Sequence, residues 1–314
     1  MTSGVLILTG PTASGKSALA LDLAERFGAE IVGADSRQIY RGMPVGTAAP
    51  TDADRARVPH HLIGFLDPHE RYSAARFVAD ALAAIDAIHA RGRRVLVVGG
   101  TGFYVRALAG DVTLSPAYDA ALRDRLAHEA RIHPTDVLAD WLHALAPARA
   151  TSIAANDPYR ITRALEIALT ERDGRVASAS ENTTSEENAW ESLRARSIPY
   201  RKLYLGVQPE VLTKRIASRV DAMLRAGLLD EAKRIGGDAV AADAVGYREA
   251  LAFLAGWSTR DELRAHLVRN TRRYAKRQAT WFRTEPDLQR IPEDADPLPF
   301  IAEVASALGW HPAR

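Results

Sequence analysis

The segment Gly10-Pro11-Thr12-Ala13-Ser14-Gly15-Lys16-Ser17 decides the fold, because it satisfies the pattern Gly-x-x-x-x-Gly-Lys-Ser/Thr at every fixed position. The short apolar run Val5–Thr9 precedes it, and Leu19, Leu23 and Phe27 recur after it at helical spacing. The order strand, glycine-rich loop, helix is typical of nucleotide-binding and ATP-binding proteins, in which backbone N–H groups surround a phosphate chain. These flanking elements argue against a chance glycine turn.

Within this loop, Lys16 can reach terminal phosphate oxygens and the Ser17 hydroxyl can bind Mg²⁺. The loop therefore predicts a bound diphosphate or triphosphate. It does not identify the molecule that carries the phosphates.

Composition indicates a globular protein, since the 314 residues are 47% hydrophobic and 25% charged. No apolar run is long enough to span a membrane, and the first apolar run is too short for a signal peptide. Cysteine is absent, which excludes disulfides and thiolate metal sites and fits a cytoplasmic protein. The net charge of +2 does not by itself indicate a nucleic-acid partner. Evidence for such a partner has to come from the way the charge is distributed along the chain.

Strands alternate with helices in the first part of the chain, which predicts a parallel sheet flanked by helices. Strands are expected at 31–34 and 95–98, with a helix at 74–90 between them. From about residue 115 the pattern becomes helical, at 118–131, 134–145 and 160–170, and no strand is expected before 203–205. The fold class is thus α/β, a P-loop sheet with an all-helical insertion domain.

The expected division is a first core segment 1–114, an insertion domain 115–200 and a return to the core at 201–314. A polar stretch, 172–197, reads as a mobile connection. Further helices are expected at 209–226, 228–235, 260–283 and 300–308.

Two polar residues follow predicted strands and are candidates for chemistry. Asp35 comes directly after the strand at 31–34, where ligands of open α/β sheets bind, and its carboxylate could bind metal or accept a proton. Thr101 lies in a glycine-rich strand end and could hydrogen-bond a substrate. An ordinary turn or helix cap explains either residue equally well.

Several familiar chemistries are disfavoured. No strand ends in an evident Walker-B carboxylate, and the Asp-x-x-Gly match at 243–246 lies in a helical region without an Asn-Lys-x-Asp motif, so a GTPase is not expected. Adjacent His60 and His61 cannot converge on one ion from a strand or helix, which favours a packing or polar-network role.

A basic helix is the second strong signal. Its cationic residues recur at helical spacing with few acidic residues between them: Arg269, Arg272, Arg273, Lys276 and Arg277. A polyanionic partner is favoured over a merely solvated face. Arg215 and Arg219 form another same-face pair that could clamp a diphosphate or be solvated.

Further segments occur in order between residues 6 and 283: GPTASGKS, ADSRQIYRGMPVGTAAPT, PHHLIG, VGGTGFYVRAL, NDPYRITRALEI, RVDAMLRAGLLDE, AVGYREAL and TRRYAKRQATWF. As an ordered set they resemble the family of tRNA dimethylallyltransferases. The resemblance implies transfer of a dimethylallyl group from dimethylallyl diphosphate to N6 of adenosine 37 in the tRNA anticodon loop. It also implies Mg²⁺ between the phosphates and Ser17, and we expect a monomer with no membrane partner.

The resemblance assigns roles to individual residues. Asp35 would take the proton from the attacking amine and Thr101 would hydrogen-bond near it. The diphosphate would bind to Gly10, Thr12, Ala13, Ser14, Gly15, Lys16, Ser17 and Arg219. The tRNA contacts would be Asp35, Ser36, Arg37, Gln38, Thr101, Arg123, Tyr159, Arg160, Ile161, Thr162, Arg163, Arg272, Arg273, Lys276, Arg277 and Gln278.

The chain departs from the family pattern at three places. Gly64 stands where Asp is common, Tyr159 replaces a common Gln, and Ala146 precedes Pro147 where Asp is usual. None of these positions touches the proposed chemistry, and an aromatic ring at Tyr159 could stack on a base.

Three other functions compete with this interpretation. An adenylate dimethylallyltransferase would need neither the helical insertion nor the basic helix. A P-loop small-molecule kinase could also use Asp35 and the glycine-rich strand end, but it would transfer phosphate from ATP. A non-enzymatic RNA-binding module would not explain the presence of Asp35 and Thr101.

Overall fold

The computed structural model describes residues 3–112, 114, 120–172, 191–293 and 295–312. Its strands are β1 (Val5–Thr9), β2 (Ala29–Gly33), β3 (His60–His61), β4 (Arg94–Gly99), β5 (Tyr200–Tyr204) and β6 (Leu288–Arg290). They form one parallel sheet in the order β3-β2-β4-β1-β5-β6. The α/β prediction is confirmed.

The sheet is built around β1, whose five residues are all buried. It lies between β4 and β5, with Thr9 opposite Gly99 and Tyr204. Helices cover both faces of such a sheet, which explains why β1 reads as a continuous apolar run and not as an alternating one. The two-residue β3 and the three-residue β6 were not predicted, because they are too short to carry a periodic pattern.

The helices before the insertion are α1 (Lys16–Phe27), α2 (Pro44–Thr47), α3 (Asp52–Arg57), α4 (Ala74–Ala90) and α5 (Gly102–Ala109). The helix expected at 74–90 is confirmed as α4, and its apolar residues Phe77, Leu82, Ile85 and Ile88 are buried. These helices place the first residues of α1 and α5 at the carboxyl ends of β1 and β4.

After the insertion the chain forms α10 (Pro209–Arg225), α11 (Leu228–Ile235), a 3-10 turn (Val240–Asp243), α12 (Tyr247–Leu254), α13 (Arg260–Trp281) and α14 (Pro297–Ser306). The predicted helices at 209–226, 228–235 and 260–283 are therefore confirmed to within two residues. The helix α12 was not predicted.

Internal contacts divide the chain into two compact units. One comprises Met1–Val112 with Glu191–Arg314, and the other comprises Thr113–Trp190. Within the second unit, α6 (Ala120–Ile132), α7 (Thr135–Leu145), α8 (Pro147–Ala150) and α9 (Pro158–Arg172) enclose a small apolar core. The connection expected at 172–197 and the helix start expected at 118 lie largely or wholly outside the described residues.

No helix in the described ranges is long and apolar enough to cross a membrane.

Candidate functional site

The phosphate loop joins β1 to α1 and adopts the backbone conformation that its glycines permit. Gly15 is left-handed at φ 97°, and so is Ala13 at φ 62°. A side chain at Gly10 would lie 2.7 Å from the Leu205 carbonyl oxygen, so glycine is required there. The first residues of α1, Lys16 and Ser17, thereby line the cavity described below, where a helix N-terminus favours an anion.

Lys16 is the cation of this loop. Its Nζ donates to the Pro11 carbonyl oxygen at 3.2 Å. Burial lowers the pKa of Lys16 to about 8, with Arg219 acting in the same direction and Asp35 opposing it. Part of the side chain still reaches the cavity described below, so the ammonium is withdrawn from bulk water yet faces a possible ligand.

Two serines of the loop fit a phosphate and its metal. The Ser14 hydroxyl is buried and has no hydrogen-bond partner among the described residues, while Arg215 fixes the loop by donating to the Ser14 carbonyl oxygen at 2.7 Å. Ser17 lies in the first turn of α1 and its side chain is exposed to the cavity. One protein hydroxyl together with phosphate oxygens is a common Mg²⁺ environment, so these residues fit the expected ion.

A cavity of about 240 Å³ opens beside the loop at the carboxyl end of the sheet. Lys16, Ser17, Asp35 and Arg219 line its polar side. Its apolar side includes Val220, Met223, Val245 and Leu267. The cavity can therefore hold a molecule with a charged end and an apolar end.

Asp35 and Thr101 lie at adjacent strand ends, as expected from the order β2-β4. The Oδ1 atom of Asp35 accepts the Arg37 N–H at 2.9 Å and the Gln38 N–H at 3.4 Å. The Thr101 hydroxyl accepts the Ser36 N–H at 3.0 Å. Asp35 lines the cavity, whereas Thr101 holds the Asp35-bearing segment from outside it.

Arg219 projects from α10 into the same cavity. Its Nη2 donates to the Thr47 carbonyl oxygen at 3.3 Å. Burial lowers the pKa of Arg219, and the nearby Asp35 opposes this effect. A partly buried guanidinium is a strong partner for a phosphate. Of the Arg215 and Arg219 pair, only Arg219 lines the cavity.

The 243–246 stretch contributes to the site although the sequence interpretation set it aside. Asp243, Ala244, Val245 and Gly246 all line the cavity, and Asp243 forms an ion pair with Arg37 at 2.5 Å. The missed signal was the segment AVGYREAL, which follows Asp243 directly and belongs to the family-like set.

The basic helix is α13, and four of its predicted tRNA contacts are exposed: Arg272, Arg273, Lys276 and Arg277. Arg277 also lines the cavity, beside the ring of Tyr274. Gln278 is placed differently, because it is buried and its amide is hydrogen-bonded to Thr12 and Gly100. It braces the phosphate loop instead of facing outwards.

In the second unit the predicted tRNA contacts divide into exposed and buried residues. Tyr159, 73% exposed, and Arg160 lie at the start of α9. The Thr162 hydroxyl donates to the Pro158 carbonyl oxygen at 2.8 Å. Ile161 is buried in the core of this unit, so its side chain does not present a surface to RNA.

Arg123 and Arg163 lie deeper in the same unit, where both pair with Glu166. Arg163 is 2.8 Å and Arg123 3.7 Å from Glu166 Oε2, and the Glu166 side chain is buried. Arg123 of α6 therefore links that helix to Glu166 of α9, whereas Arg163 pairs with Glu166 within α9.

The histidine pair forms a polar network and not a metal site. His61 Nε2 lies 2.7 Å from Glu30 Oε2, and Arg91 Nη2 lies 2.6 Å from the same oxygen. His60 Nδ1 contacts the Val58 carbonyl oxygen at 2.7 Å. No cluster of three potential metal ligands occurs in the described parts of the chain.

The parallel sheet and the phosphate loop define a P-loop α/β protein, and its cavity suits a ligand with a charged end and an apolar end. Comparison with known proteins narrows this class. Residues 38–285 match the family described as IPP transferase, and residues 3–59 match the isopentenyl transferase family.

Relatives named tRNA dimethylallyltransferase cover nearly the whole chain. The protein of Thiobacillus denitrificans is 45% identical over 97% of both chains. That of Geobacter metallireducens is 44% identical over 90% of this chain and 91% of the relative.

Solved structures agree with this comparison. The tRNA isopentenylpyrophosphate transferase of Bacillus halodurans is 35% identical, with a TM-score of 0.66, and the match covers 98% of this chain and 96% of that one. A eukaryotic dimethylallyltransferase acting on tRNA is 25% identical with a TM-score of 0.73, covering 99% and 81%. The chain belongs to the tRNA dimethylallyltransferase family.

Proposed function

We propose that this protein transfers a dimethylallyl group from dimethylallyl diphosphate to N6 of adenosine 37 in the tRNA anticodon loop. The single observation that carries the proposal is the cavity, in which two partly buried cations, Lys16 and Arg219, and the carboxylate of Asp35 face one space with an apolar wall. A charged diphosphate and a five-carbon tail match these two sides.

The phosphate loop supports the proposed binding of the donor's diphosphate. Backbone N–H groups and the N-terminus of α1 bind phosphate oxygens, and Lys16 and Arg219 balance the charge that develops as the diphosphate leaves. The hydroxyl of Ser17 would hold Mg²⁺, which supplies further positive charge when bound. The buried hydroxyl of Ser14, which lacks a partner among the described residues, can donate to a phosphate oxygen.

Asp35 supports the proposed reaction at N6 of the adenosine that receives the dimethylallyl group. N6 of adenine is a weak nucleophile because its lone pair is delocalised into the ring, so the reaction needs alignment and a base. In the transfer, the bond between N6 and C1 of the dimethylallyl group forms while the bond from C1 to the diphosphate oxygen breaks. Asp35 takes the proton from N6, and Thr101 keeps the Asp35 segment in position through Ser36.

The tRNA is bound by positive and aromatic surface. The exposed cations of α13 suit an RNA backbone, and Tyr159 with Arg160 in the helical unit suits an unstacked base or a phosphate. The target adenosine has to leave the loop stack to reach the cavity. We propose that residues 115–200 form an insertion domain for this contact and that the protein works as a cytoplasmic monomer.

The direct test is incubation of the protein with dimethylallyl diphosphate, Mg²⁺ and unmodified tRNA, followed by mass spectrometry of the nucleosides. We expect adenosine to gain the mass of one dimethylallyl group. No gain on tRNA would refute the proposal. A gain on free adenosine monophosphate instead would indicate the adenylate enzyme, and transfer of phosphate from ATP would indicate a kinase.

A further inference from the structure

Gln278 connects the basic helix α13 to the phosphate loop. Its side chain is buried, with 6% of the residue exposed. The Thr12 N–H donates to Gln278 Oε1 at 2.8 Å, and Gln278 Nε2 donates to the Gly100 carbonyl oxygen at 2.9 Å. A backbone N–H can only donate and a carbonyl can only accept, so these partners fix which end of the amide faces the loop.

The amide is also held in place sterically. A Cβ atom at Gly100 would lie 2.2 Å from Gln278 Nε2, so the close approach depends on this glycine. Gly100 follows directly after β4. The side-chain oxygen Oε1 of Gln278 is consequently held against the Thr12 N–H.

This contact occupies one of the N–H groups with which the loop could bind a phosphate. P-loops bind phosphates through backbone N–H groups, and each group that faces a protein acceptor is lost to the ligand. Thr12 and Gln278 both line the cavity. A phosphate oxygen that approached the Thr12 N–H would therefore meet the partly negative Oε1 atom. Lys16 and Ser17, at the α1 end of the loop, stay available.

We propose that Gln278 determines how many phosphates the loop accepts. By covering the Thr12 N–H it confines the anion to the α1 end of the loop, which favours a diphosphate and disfavours a triphosphate such as ATP. The proposal deepens the proposed function and rests on it in taking an organic diphosphate as the donor. It predicts a ratio of affinities, which can be measured without any prenyl transfer.

Two substitutions separate the covering of Thr12 from simple bracing. Gln278→Ala loses both hydrogen bonds and exposes the Thr12 N–H. Gln278→Glu keeps an oxygen against Thr12 but, when ionised, cannot donate to Gly100. A protonated glutamate keeps both bonds and an ionised one adds a negative charge, so the Thr12 N–H stays covered in either state of this variant and is exposed only in Gln278→Ala.

The experiment is calorimetric titration of the full chain with inorganic pyrophosphate and with inorganic tripolyphosphate, both with Mg²⁺. We expect the wild-type protein to prefer pyrophosphate. In Gln278→Ala the preference should fall by about ten- to a hundredfold, because one hydrogen bond to a charged ligand becomes available. Gln278→Glu should keep the wild-type preference or increase it. Gln289→Ala, an exposed glutamine in β6, should leave the ratio unchanged.

The outcomes distinguish the two levels of the proposal. An unchanged ratio in Gln278→Ala, or equal ratios in the Ala and Glu variants, would show that Gln278 only braces the loop. A wild-type protein that preferred tripolyphosphate would overturn this assignment, whereas the proposed function fails only if no dimethylallyl group is transferred to tRNA. If Gln278→Ala did not fold, judged by thermal melting, Gln278→Asn would replace it, since its amide is shorter by one methylene and cannot span Thr12 and Gly100.

Discussion

Asp35 illustrates how one carboxylate can hold a loop and serve as a base. Its Oδ1 atom accepts two backbone N–H groups, from Arg37 and Gln38, and so fixes the turn that follows β2. An asparagine at this position can keep the same acceptor oxygen. The substitution Asp35→Asn therefore removes basicity while it preserves the turn.

We expect Asp35→Asn to lower the single-turnover rate of transfer by about 10²–10⁴-fold, the usual contribution of a positioned base. Binding of tRNA should change far less, because phosphate contacts elsewhere supply most of that affinity. The measurement is transfer under saturating tRNA and donor, alongside tRNA affinity. A near-normal rate combined with a collapsed affinity would make Asp35 a binding residue.

Lys16 gives the site a pH dependence whose sign follows from its burial. Burial lowers the pKa of Lys16 from 10.5 to about 8, so the free protein loses the ammonium as pH rises through 8. Diphosphate binding needs the charged form and should take up a proton above that pH. We expect affinity for the donor to fall between pH 8 and 10, by at most about tenfold per pH unit.

The control for this prediction is Lys16→Met, which has no ammonium at this position. Ionisation of the ligand itself affects binding to this variant and to the wild-type protein in the same way. The variant's affinity should be lower throughout and should lack the slope above pH 8. Calorimetry in buffers of different ionisation enthalpy measures the proton uptake directly. Equal slopes in both proteins would assign the dependence to another group.

The helix α13 has two faces with different roles. Its exposed face carries Arg272 and Arg273, and its buried face carries Ala275 and Gln278. Because the exposed face has few acidic neighbours, its charge should act on RNA through phosphate contacts. The salt dependence of tRNA binding is the appropriate measure.

We expect the double variant Arg272→Ala, Arg273→Ala to flatten the log–log salt dependence of tRNA binding by about 1.5, since each lost phosphate contact removes about 0.7–0.9. The matched control is Arg93→Ala, Arg201→Ala. Both of these arginines are exposed and lie at the amino ends of strands, the opposite edge from the cavity. If the two double variants had the same slope, only net charge would matter.

The short helix α2 forms a wall of the cavity and is held by a buried carboxylate. Glu231 accepts the Val45 N–H at 2.9 Å and the Gly46 N–H at 2.7 Å, and Tyr247 donates its hydroxyl to Glu231 at 2.6 Å. Burial and the neighbouring Glu231 raise the pKa of Tyr247, so it stays a donor. Thr47, at the end of α2, then accepts Arg219.

Tyr247→Phe should lower the free energy of unfolding by about 1–3 kcal/mol, because the buried Glu231 loses a hydrogen-bond donor. Urea denaturation measures this change. Tyr159→Phe, at an exposed ring, should be close to neutral. Should both variants unfold at the same urea concentration, the hydroxyl of Tyr247 would contribute nothing to stability.

At the scale of the whole molecule, the sequence specified local features well. The loop at 10–17, the strand β1 and the helix α4 follow from short-range pattern, because glycine placement and apolar periodicity are local properties. The strands β3 and β6 are too short for a pattern, and their pairing depends on neighbours far along the chain. Their positions could only come from the assembled sheet.

The candidate site shows the same division. Lys16, Asp35 and Arg219 were predicted as site residues and line one cavity. The bracing role of Gln278 was not predicted, since it depends on partners 266 and 178 residues away, Thr12 and Gly100. Residue types and spacing on a helix identify a basic face, but they do not reveal which polar residue turns inward.

A buried network of ion pairs around β5 connects distant parts of the unit that contains the sheet. Lys202 in β5 is fully buried, and its Nζ donates to Asp111 and to Glu285, each at 2.6 Å. Arg106 binds Glu285 at 3.0 Å and Arg194 binds Asp111 at 2.6 Å. The network thus joins α5, β5 and the segment that follows α13.

We expect Lys202→Met to lower the free energy of unfolding by about 3–5 kcal/mol, because it leaves two largely buried carboxylates with less compensation. The neighbouring Arg201→Met changes the same charge at an exposed position of the same strand and should cost far less. Burial alone would raise the pKa of Asp111, but hydrogen bonds from Lys202 and Arg194 outweigh it and hold that pKa below its usual value.

The pH dependence of stability provides a second measure of this network. A carboxylate whose pKa is lowered by folding stabilises the protein above its unfolded pKa, and that stabilisation disappears as pH falls through the folded pKa. In Lys202→Met the main partner of Asp111 is lost, so its contribution should disappear at a higher pH than in the wild-type protein. Urea denaturation at a series of pH values below 5 measures the shift. Identical acid profiles for Lys202→Met and Arg201→Met would show that the network contributes no net electrostatic stability.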